Sequence, residues 1–567
     1  MMKSVIRHYC KQITIIYYAH HTHPVGHRTP RKLVWPSSQV LRTLINCSAT
    51  QVVDTAPTTS LGKGTAQRQA PAPSFPVGST SLAREAMRSI PQCPILPQNL
   101  QWLLQHWPVF PISGSKVRVI TNPNEFYREL LNKAKNASHR ICLSSLYLGT
   151  GKLEKDLVMA MSNRAAICKD LRVHWLLDYT RGSRGDFNSR KMLQPLISRY
   201  PDTFTVSLYH TPDLRGILKW IMPQRWNETI GLQHMKLYVF DDSLVISGAN
   251  LSNDYFTNRQ DRYFVFDDCP QLADFYHKII DTVSKFSLQL QTDNTTTVLP
   301  DTIVHPFMGD YNKYCMAMKT AIQKVWDQEC GKTTQRLHQM SKNLEKSGVN
   351  KLDEKPLDTI VIPTLQMGPF AIVSDSTMTK KFLTSAENNS RIQLASGYFN
   401  LTEEYMKSIL QGSEALYSIL MAHPKANGFL GASGFAGAIP AAYTQLAKLF
   451  FERLQKGRQS KRITMFEYQR PSWTFHAKGL WYYQPYQSLP LLTMIGSPNF
   501  GWRSVNRDLE SQVVVATQSF ALQRALHQEQ EHLYGSSSQV TQQTFTTQDR
   551  LVPYWVRFVM PVIKVFF

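Results

Sequence analysis

The chain predicts an α/β fold of two pseudo-symmetric halves, each a mixed sheet flanked by helices, sharing one active site at their interface. Three observations predict it. Two apolar stretches each carry a histidine and a lysine two residues apart, His234 and Lys236 in the first and His476 and Lys478 in the second. On a strand, that spacing turns both side chains to one face. Each stretch leads into a small-residue turn closed by an asparagine, Asn250 or Asn499, and eleven residues further on stands a carboxylate, Asp261 or Glu510. Upstream, Arg140, Ile141, Leu143, Ser145 and Tyr147 match Arg391, Ile392, Leu394, Ser396 and Tyr398 at one offset. Internal duplication is the simplest account.

Length and composition set the limits. With 567 residues, 43% of them hydrophobic, the chain has ample material for a large core. Its net charge of +22 attracts polyanions, and composition does not choose between nucleic acid and an anionic membrane. Eight cysteines (Cys10, Cys47, Cys93, Cys142, Cys168, Cys269, Cys315, Cys330) form no CxxC pair, so neither a zinc site nor a disulfide framework is indicated. Residues 1–53 lack Asp and Glu but hold Lys3, Arg7, Lys11, Arg28, Arg31, Lys32 and Arg42, the composition of a mitochondrial transit segment. A disordered basic tail with a histidine patch (His20, His21, His23) is the plainer alternative. No segment reaches about 18 uninterrupted apolar residues. The expectation is a matrix-directed protein, peripheral on the inner membrane, without a spanning helix.

In chain order, residues 54–99 are rich in Thr, Ser, Ala and Pro and read as a linker. The first half runs over 100–298. It opens with Trp102, Leu103, Leu104 and Trp107 at helical spacing, then a strand at 116–120. Asn122, Pro123 and Glu125 supply a cap, a first-turn proline and a capping acid, so a helix is expected over 123–135. Residues 145–152 run through Ser145, Gly149 and Gly151 to Lys152 and admit a phosphate-loop reading. Walker spacing fails, however: Leu146 stands where a glycine is required and Leu153 follows the lysine. A turn packed near the site is therefore preferred, and ATP binding is not expected. Arg181 and Arg184 lie in a glycine-punctuated loop after a strand, where they either grip a phosphate or line a solvated loop. A helical connector (299–358) leads to the second half (359–535). Its glycine- and alanine-rich loop at 428–440, with Phe429, Leu430 and Phe435, either admits acyl chains or covers the site. Residues 536–567 carry aromatics with flanking cations, suited to lipid headgroups or to docking on the core.

Two imidazoles in one site permit double displacement at phosphorus: one attacks, and the other protonates the leaving oxygen and later deprotonates the acceptor. Lys236, Lys478, Asn250 and Asn499 would stabilise the negative charge that develops on the phosphoryl oxygens. No carboxylate cluster points to a dedicated metal site, and the chemistry requires no cofactor, although divalent ions can act through substrate phosphates.

The arrangement resembles the phospholipase D superfamily, whose HxKxxxxD motif occurs twice per site. His234, Lys236 and Asp241 match it fully, whereas the second copy has Tyr483 in place of the aspartate. The resemblance implies His234 as nucleophile, His476 as acid and base, and Asp261 and Glu510 as the carboxylates that orient them; the reverse assignment of the two histidines stays open. Residues 145–151, 179–185, 227–234, 255–263 and 473–481 are similar to the phosphatidylglycerophosphate synthase family within that superfamily. This similarity implies CDP-diacylglycerol and glycerol 3-phosphate as substrates, CMP as leaving group, an anionic membrane surface as partner, and no nucleic acid. A nuclease of the same superfamily and a noncatalytic lipid-binding scaffold are the competing expectations.

Overall fold

The structure, a computed structural model, describes residues 92–300, 304–347, 355–432 and 437–563. The expected transit segment and most of the expected linker lie outside the described residues. Packed structure begins somewhat earlier than expected: Cys93, Ile95 and Leu96 are buried ahead of the 3-10 helix Gln98–Leu104.

The first sheet contains β1 (Val117–Ile120), β2 (Arg140–Ser144), β3 (Arg172–Asp178), β4 (Phe204–Tyr209), β5 (Leu237–Phe240), β6 (Ser243–Ser247), β7 (Tyr263–Phe266), β8 (Leu288–Leu290) and β9 (Thr296–Thr297). Its spatial order is β9-β8-β4-β3-β2-β5-β6-β7-β1. The pairs β2/β3 and β3/β4 are parallel and the others antiparallel. The second sheet contains β10 (Thr359–Met367), β11 (Arg391–Ser396), β12 (Leu416–Ala422), β13 (Ile463–Tyr468), β14 (Lys478–Tyr483), β15 (Leu492–Gly496), β16 (Leu509–Thr517) and β17 (Ser537–Gln539). From β17 inward the order is β17-β13-β12-β11-β14-β15-β16-β10, with β11/β12 and β12/β13 the parallel pairs. Strand for strand, the two halves share order and sense, as the internal echo predicts.

Helices cover both faces of the first sheet, which is why β5, β6 and β7 are apolar without alternation. Leu237 and Val239 face a core continuous with the second half, while Tyr238 and Phe240 face the first half's outer core under α1 (Pro123–Asn136), α2 (Lys152–Ile167) and α3 (Ser189–Arg199). Helix α1 starts where the sequence places it, with the Asn122 side chain accepting from the Asn124 amide at 2.9 Å. Between β4 and β5 lies the short α4 (Gly216–Ile221); α5 (Asn253–Thr257) and α6 (Pro270–Lys285) follow. The connector is helical as expected, with α7 (Tyr311–Cys330) and α8 (Thr333–Ser347). The second half adds α9 (Ser374–Ser385), α10 (Ile439–Lys456), α11 (Trp502–Asn506), α12 (Phe520–Tyr534) and α13 (Tyr554–Ile563).

Several contacts lock the halves together. Phe110–Ile112 pairs with β10, so the chain crosses to the second sheet before it builds the first. Arg262, fully buried in the first half, donates from Nε and Nη2 to the two oxygens of Glu529 on α12 at 2.9 and 2.8 Å. Its Nη1 donates to the Met494 carbonyl at 2.8 Å, and its guanidinium lies 3.8 Å from the centre of the Trp481 ring. Gly479, at φ 118°, is required here, since a Cβ would collide with the Met494 carbonyl and reach within 2.5 Å of Arg262 Nη1.

Breaking a buried pair by removing one partner strands the other charge, at a cost of about 3–5 kcal/mol. Arg262→Met is therefore expected to lower the thermal unfolding midpoint strongly, and Arg262→Met with Glu529→Leu to recover part of the loss. Equal midpoints for wild type and Arg262→Met would show that the pair does not hold the halves together.

Candidate active site

Both histidines sit just ahead of their strands, in extended segments that pair with the opposite half. The His234 amide donates to the Leu509 carbonyl at 2.9 Å, and the His476 amide donates to the Gln260 carbonyl at 2.8 Å. Leu509 and Gln260 each immediately precede the carboxylate that the sequence singles out. The rings follow the backbone: His234 Nδ1 lies 2.9 Å from Glu510 Oε2, and His476 Nδ1 lies 2.6 Å from Asp261 Oδ2. Each half thus orients the other half's histidine. A carboxylate on Nδ1 selects the tautomer that leaves the Nε2 lone pair facing the site. The two rings are close enough for the charge of His234 to depress the pKa of His476.

Lys236 and Lys478 are both buried. The Lys236 ammonium donates to the His234 carbonyl at 2.7 Å. The Lys478 ammonium donates to the His476 carbonyl at 2.7 Å and also lies 2.7 Å from His476 Nδ1 and 3.7 Å from Asp261. Gly248 makes this crowding feasible, because a Cβ there would sit 2.7 Å from Asp261 Oδ1 and 2.8 Å from Lys478 Nζ. The Asn250 amide donates to the Tyr255 hydroxyl at 3.2 Å, and that hydroxyl is 3.3 Å from His476 Nε2. The Oδ1 atoms of Asn250 and Asn499 are buried without a hydrogen-bond partner among the described residues, at equivalent places in the two halves.

Burial dominates the electrostatics. It holds both histidines well below their usual pKa, with the neighbouring lysine ammonium as the next cause in each case. Burial also raises Asp261 to about 6, against the pull of Lys478, and lowers Lys478 to about 8, against the pull of Asp261.

Asp241 lies elsewhere. It follows β5 at the end away from His234, at φ 48°, where its carboxylate accepts from the amides of Ser138, His139 and Arg140 at 2.8–3.0 Å. The motif aspartate therefore fastens the start of β2 and takes no place at the reaction centre. Its counterpart Tyr483 ends β14 and fastens to α12 instead, through Gln530 and His527. The departure in the second motif thus leaves the site intact.

The phosphate-loop reading of Ser145, Gly149 and Gly151 is also corrected. Cβ atoms at both glycines would run into the buried Glu154 carboxylate, which occupies the ground an anion would need. Ser145 instead donates to the Tyr147 carbonyl at 3.1 Å, as its counterpart Ser396 does to Tyr398 at 3.0 Å. Arg184 is paired with Glu228 at 2.7 Å, and Arg181 stacks on Tyr147 with 4.2 Å to the ring centre. Both arginines are thus engaged with the protein.

Sequence reading missed Tyr255, Tyr398, Ser504 and Asp508. The rings of Tyr255 and Tyr398 stand edge-on to His476, with centroids 5.1 and 5.5 Å away. Ser504 donates to Glu510 Oε1 at 2.7 Å. Asp508 accepts from the Leu232 amide at 3.0 Å and from Arg503 Nε at 2.8 Å. A signal was present, since Tyr255 and Ser504 each stand five residues after the turn asparagine. His234, Asp508 and Glu510 bring their ligand atoms within 4.8 Å of one another, and here the Asp508 oxygens and Glu510 Oε2 hold the bonds just described.

No protein-family profile matches the chain. Among curated proteins, mitochondrial CDP-diacylglycerol–glycerol-3-phosphate 3-phosphatidyltransferases match it closely. That of Cricetulus griseus is 48% identical over 493 residues, covering 84% of this chain and 88% of the relative. The Schizosaccharomyces pombe enzyme is 35% identical, with 81% and 95% covered. The chain belongs to the CDP-diacylglycerol–glycerol-3-phosphate 3-phosphatidyltransferase family. Members of this family are enzymes of phospholipid synthesis, and the four groups that meet here come from both halves of this phosphatidyltransferase. Among solved structures, phosphatidylserine synthase from Haemophilus influenzae superposes with a TM-score of 0.62 at 17% identity, covering 83% of this chain and 99% of that one. The fold is therefore the expected α/β architecture of two like halves, shared with that synthase.

If Asp261 must be ionised and Lys478 charged, turnover falls below about pH 6 as the carboxyl takes up a proton and above about pH 8 as the ammonium loses one. Lys478→Arg keeps its charge at all these pH values and is expected to move the alkaline limb upward. An unmoved alkaline limb in an active Lys478→Arg enzyme would assign that limb to another group.

Proposed function

We propose that this enzyme transfers the phosphatidyl group from CDP-diacylglycerol to the sn-1 hydroxyl of glycerol 3-phosphate, through a phosphohistidine. The observation that carries the reading is the crossed pairing of two buried imidazoles with two carboxylates, in a chain of this phosphatidyltransferase family. His234 Nε2 attacks the phosphorus that bears the diacylglycerol. The bond from that phosphorus to the CMP oxygen breaks, and His476 delivers its proton to the departing CMP. Glycerol 3-phosphate then gives the proton of its sn-1 hydroxyl to His476 and attacks the same phosphorus, releasing His234.

His234 is the better nucleophile of the two. Its Nε2 has no hydrogen bond among the described residues, whereas that of His476 faces the Tyr255 hydroxyl. A diphosphate between Lys236 and Lys478 brings the negative charge that lifts His476 toward protonation, which burial and its neighbours oppose. The chemistry runs on side chains, with a divalent ion acting through the substrate's phosphates where it stimulates. The product leads toward phosphatidylglycerol and cardiolipin.

The reading places the enzyme in the mitochondrion, the compartment in its relatives' names, and on the matrix face of the inner membrane. Among the described residues no helix is long and apolar enough to cross a membrane. Peripheral attachment is supported by α4, which presents Ile217 (70% exposed), Trp220 (86%) and Ile221 (49%) at helical spacing beside Arg215 and Lys219. Helix α13 docks Val556 and Met560 against Ala442 of α10 and turns Tyr554 and Phe558 outward, which supports docking on the core and leaves these two rings free to meet headgroups.

Labelled CDP-diacylglycerol, quenched before the acceptor is added, is expected to leave its phosphatidyl label on His234. His476→Ala is expected to slow turnover by at least about 10²–10⁴-fold. Label on another residue overturns the role assignment, and cleavage of single-stranded DNA without glycerol 3-phosphate-dependent CMP release overturns the substrate. Trp220→Ser with Ile217→Ser is expected to weaken sedimentation with vesicles rich in anionic phospholipid, and unchanged sedimentation would remove α4 from the membrane surface.

A further inference from the structure

The duplication sets Asp254 opposite Arg503 and Arg259 opposite Asp508, at the same offset that relates Asn250 to Asn499 and Asp261 to Glu510. Each half thus has an ion pair beside the other half's histidine, with its polarity reversed. The two pairs are not equally balanced. Arg503, with its side chain 22% exposed, donates to Asp508 at 2.8 Å, and the Asp508 side chain is 2% exposed, so this cation meets a buried anion. Arg259, with its side chain 14% exposed, meets Asp254 at 3.3 Å, and that aspartate is 58% exposed. Water screens an exposed carboxylate, which cancels little of a charge held in the interior. The His476 side of the centre therefore retains positive charge.

The guanidinium is held for use at that spot. Arg259 Nε donates to Thr474 Oγ1 at 3.0 Å, two residues before His476, and the group lies 4.7 Å from the centre of the Tyr255 ring. A Cβ at Gly428 would stand 3.1 Å from both Arg259 Nη2 and the Tyr398 hydroxyl, so both groups converge on the backbone at Gly428, where a side chain would crowd them. Arg181 and Arg184, the arginines that the sequence offers for a phosphate, are occupied by Tyr147 and Glu228.

Resting on the phosphatidyl-transfer reading, we propose that Arg259 and the Tyr398 hydroxyl, which converge beside Gly428, form a subsite for the phosphate that is not attacked. That phosphate is a monoester dianion beside His476: the phosphate of CMP once its bond to the attacked phosphorus has broken, or the phosphate of glycerol 3-phosphate. Arg259 would be a specificity residue that binds an oxyanion through charge-assisted hydrogen bonds.

The test uses the full-length enzyme and two assays: CMP release against glycerol 3-phosphate, and exchange of labelled CMP into CDP-diacylglycerol without acceptor. Arg259→Gln is expected to raise a half-saturating concentration about 10-fold or more, with Arg259→Lys between it and wild type. A rise for glycerol 3-phosphate alone assigns the acceptor's phosphate, and a rise for CMP alone the nucleotide's. A rise in both supports a subsite that the two occupy in turn. Half-saturating concentrations within twofold of wild type would overturn the proposal, as would the same loss in Asp254→Asn, which removes only the exposed partner. Should wild type show neither exchange nor acceptor-dependent release, the transferase reading itself fails, independently of Arg259.

Discussion

The site depends on the crossed tether of each histidine to the half that does not contain it. A backbone bond from His234 to Leu509 sets the distance between the halves, and the ring bond to Glu510, the next residue, sets the rotation. His476, Gln260 and Asp261 repeat the device across the pseudo-twofold axis. Shifting either half along the interface would break a peptide hydrogen bond and an imidazole–carboxylate bond together, so docking of the halves and assembly of the reaction centre are one event. Arg262 ties the two further, because it follows Asp261 directly and its guanidinium is clamped in the other half.

Duplication would make the two histidines equivalent, yet the proposed double displacement needs one to attack and the other to move protons. The structure breaks the equivalence with charge. Lys236 turns to its own histidine's carbonyl, whereas Lys478 also lies against the His476 ring. Asp508 lends negative charge to the His234 side, and Arg259 lends positive charge to the other. The fold supplies symmetry, and a handful of substitutions at matched positions supply direction.

The repeat, both histidine–lysine pairs and both orienting carboxylates were legible because they recur in order, and recurrence is a property of sequence. Which carboxylate serves which histidine was not, because the crossing is made by two chain segments more than two hundred residues apart. Asp241 misled for a related reason. Its spacing from His234 is as fixed as that of Lys236, but a strand of four residues lies between, and the carboxylate emerges at the wrong end of the sheet. Gly149 and Gly151 admitted a phosphate-loop reading beside the preferred turn because a glycine that makes room for Glu154 and one that makes room for a phosphate look alike until the neighbour is seen.

The remaining strain in the site concerns charge that is buried ahead of its partner. Four cations, Lys236, Lys478, Arg259 and Arg503, stand against three buried carboxylates, Asp261, Glu510 and Asp508. Both lysines are pushed down, and Asp261 and Glu510 are pushed up, because none of these groups regains inside the protein all the solvation it loses. The stranded oxygens of Asn250 and Asn499 show the same shortfall in hydrogen bonds. A phosphate with surplus negative charge, delivered with an acceptor hydroxyl, relieves both deficits. In the proposed double displacement the negative charge on the phosphoryl oxygens grows midway through each step, so the relief would be greatest there, and the cost of burying these charges would become selective stabilisation of the transition state.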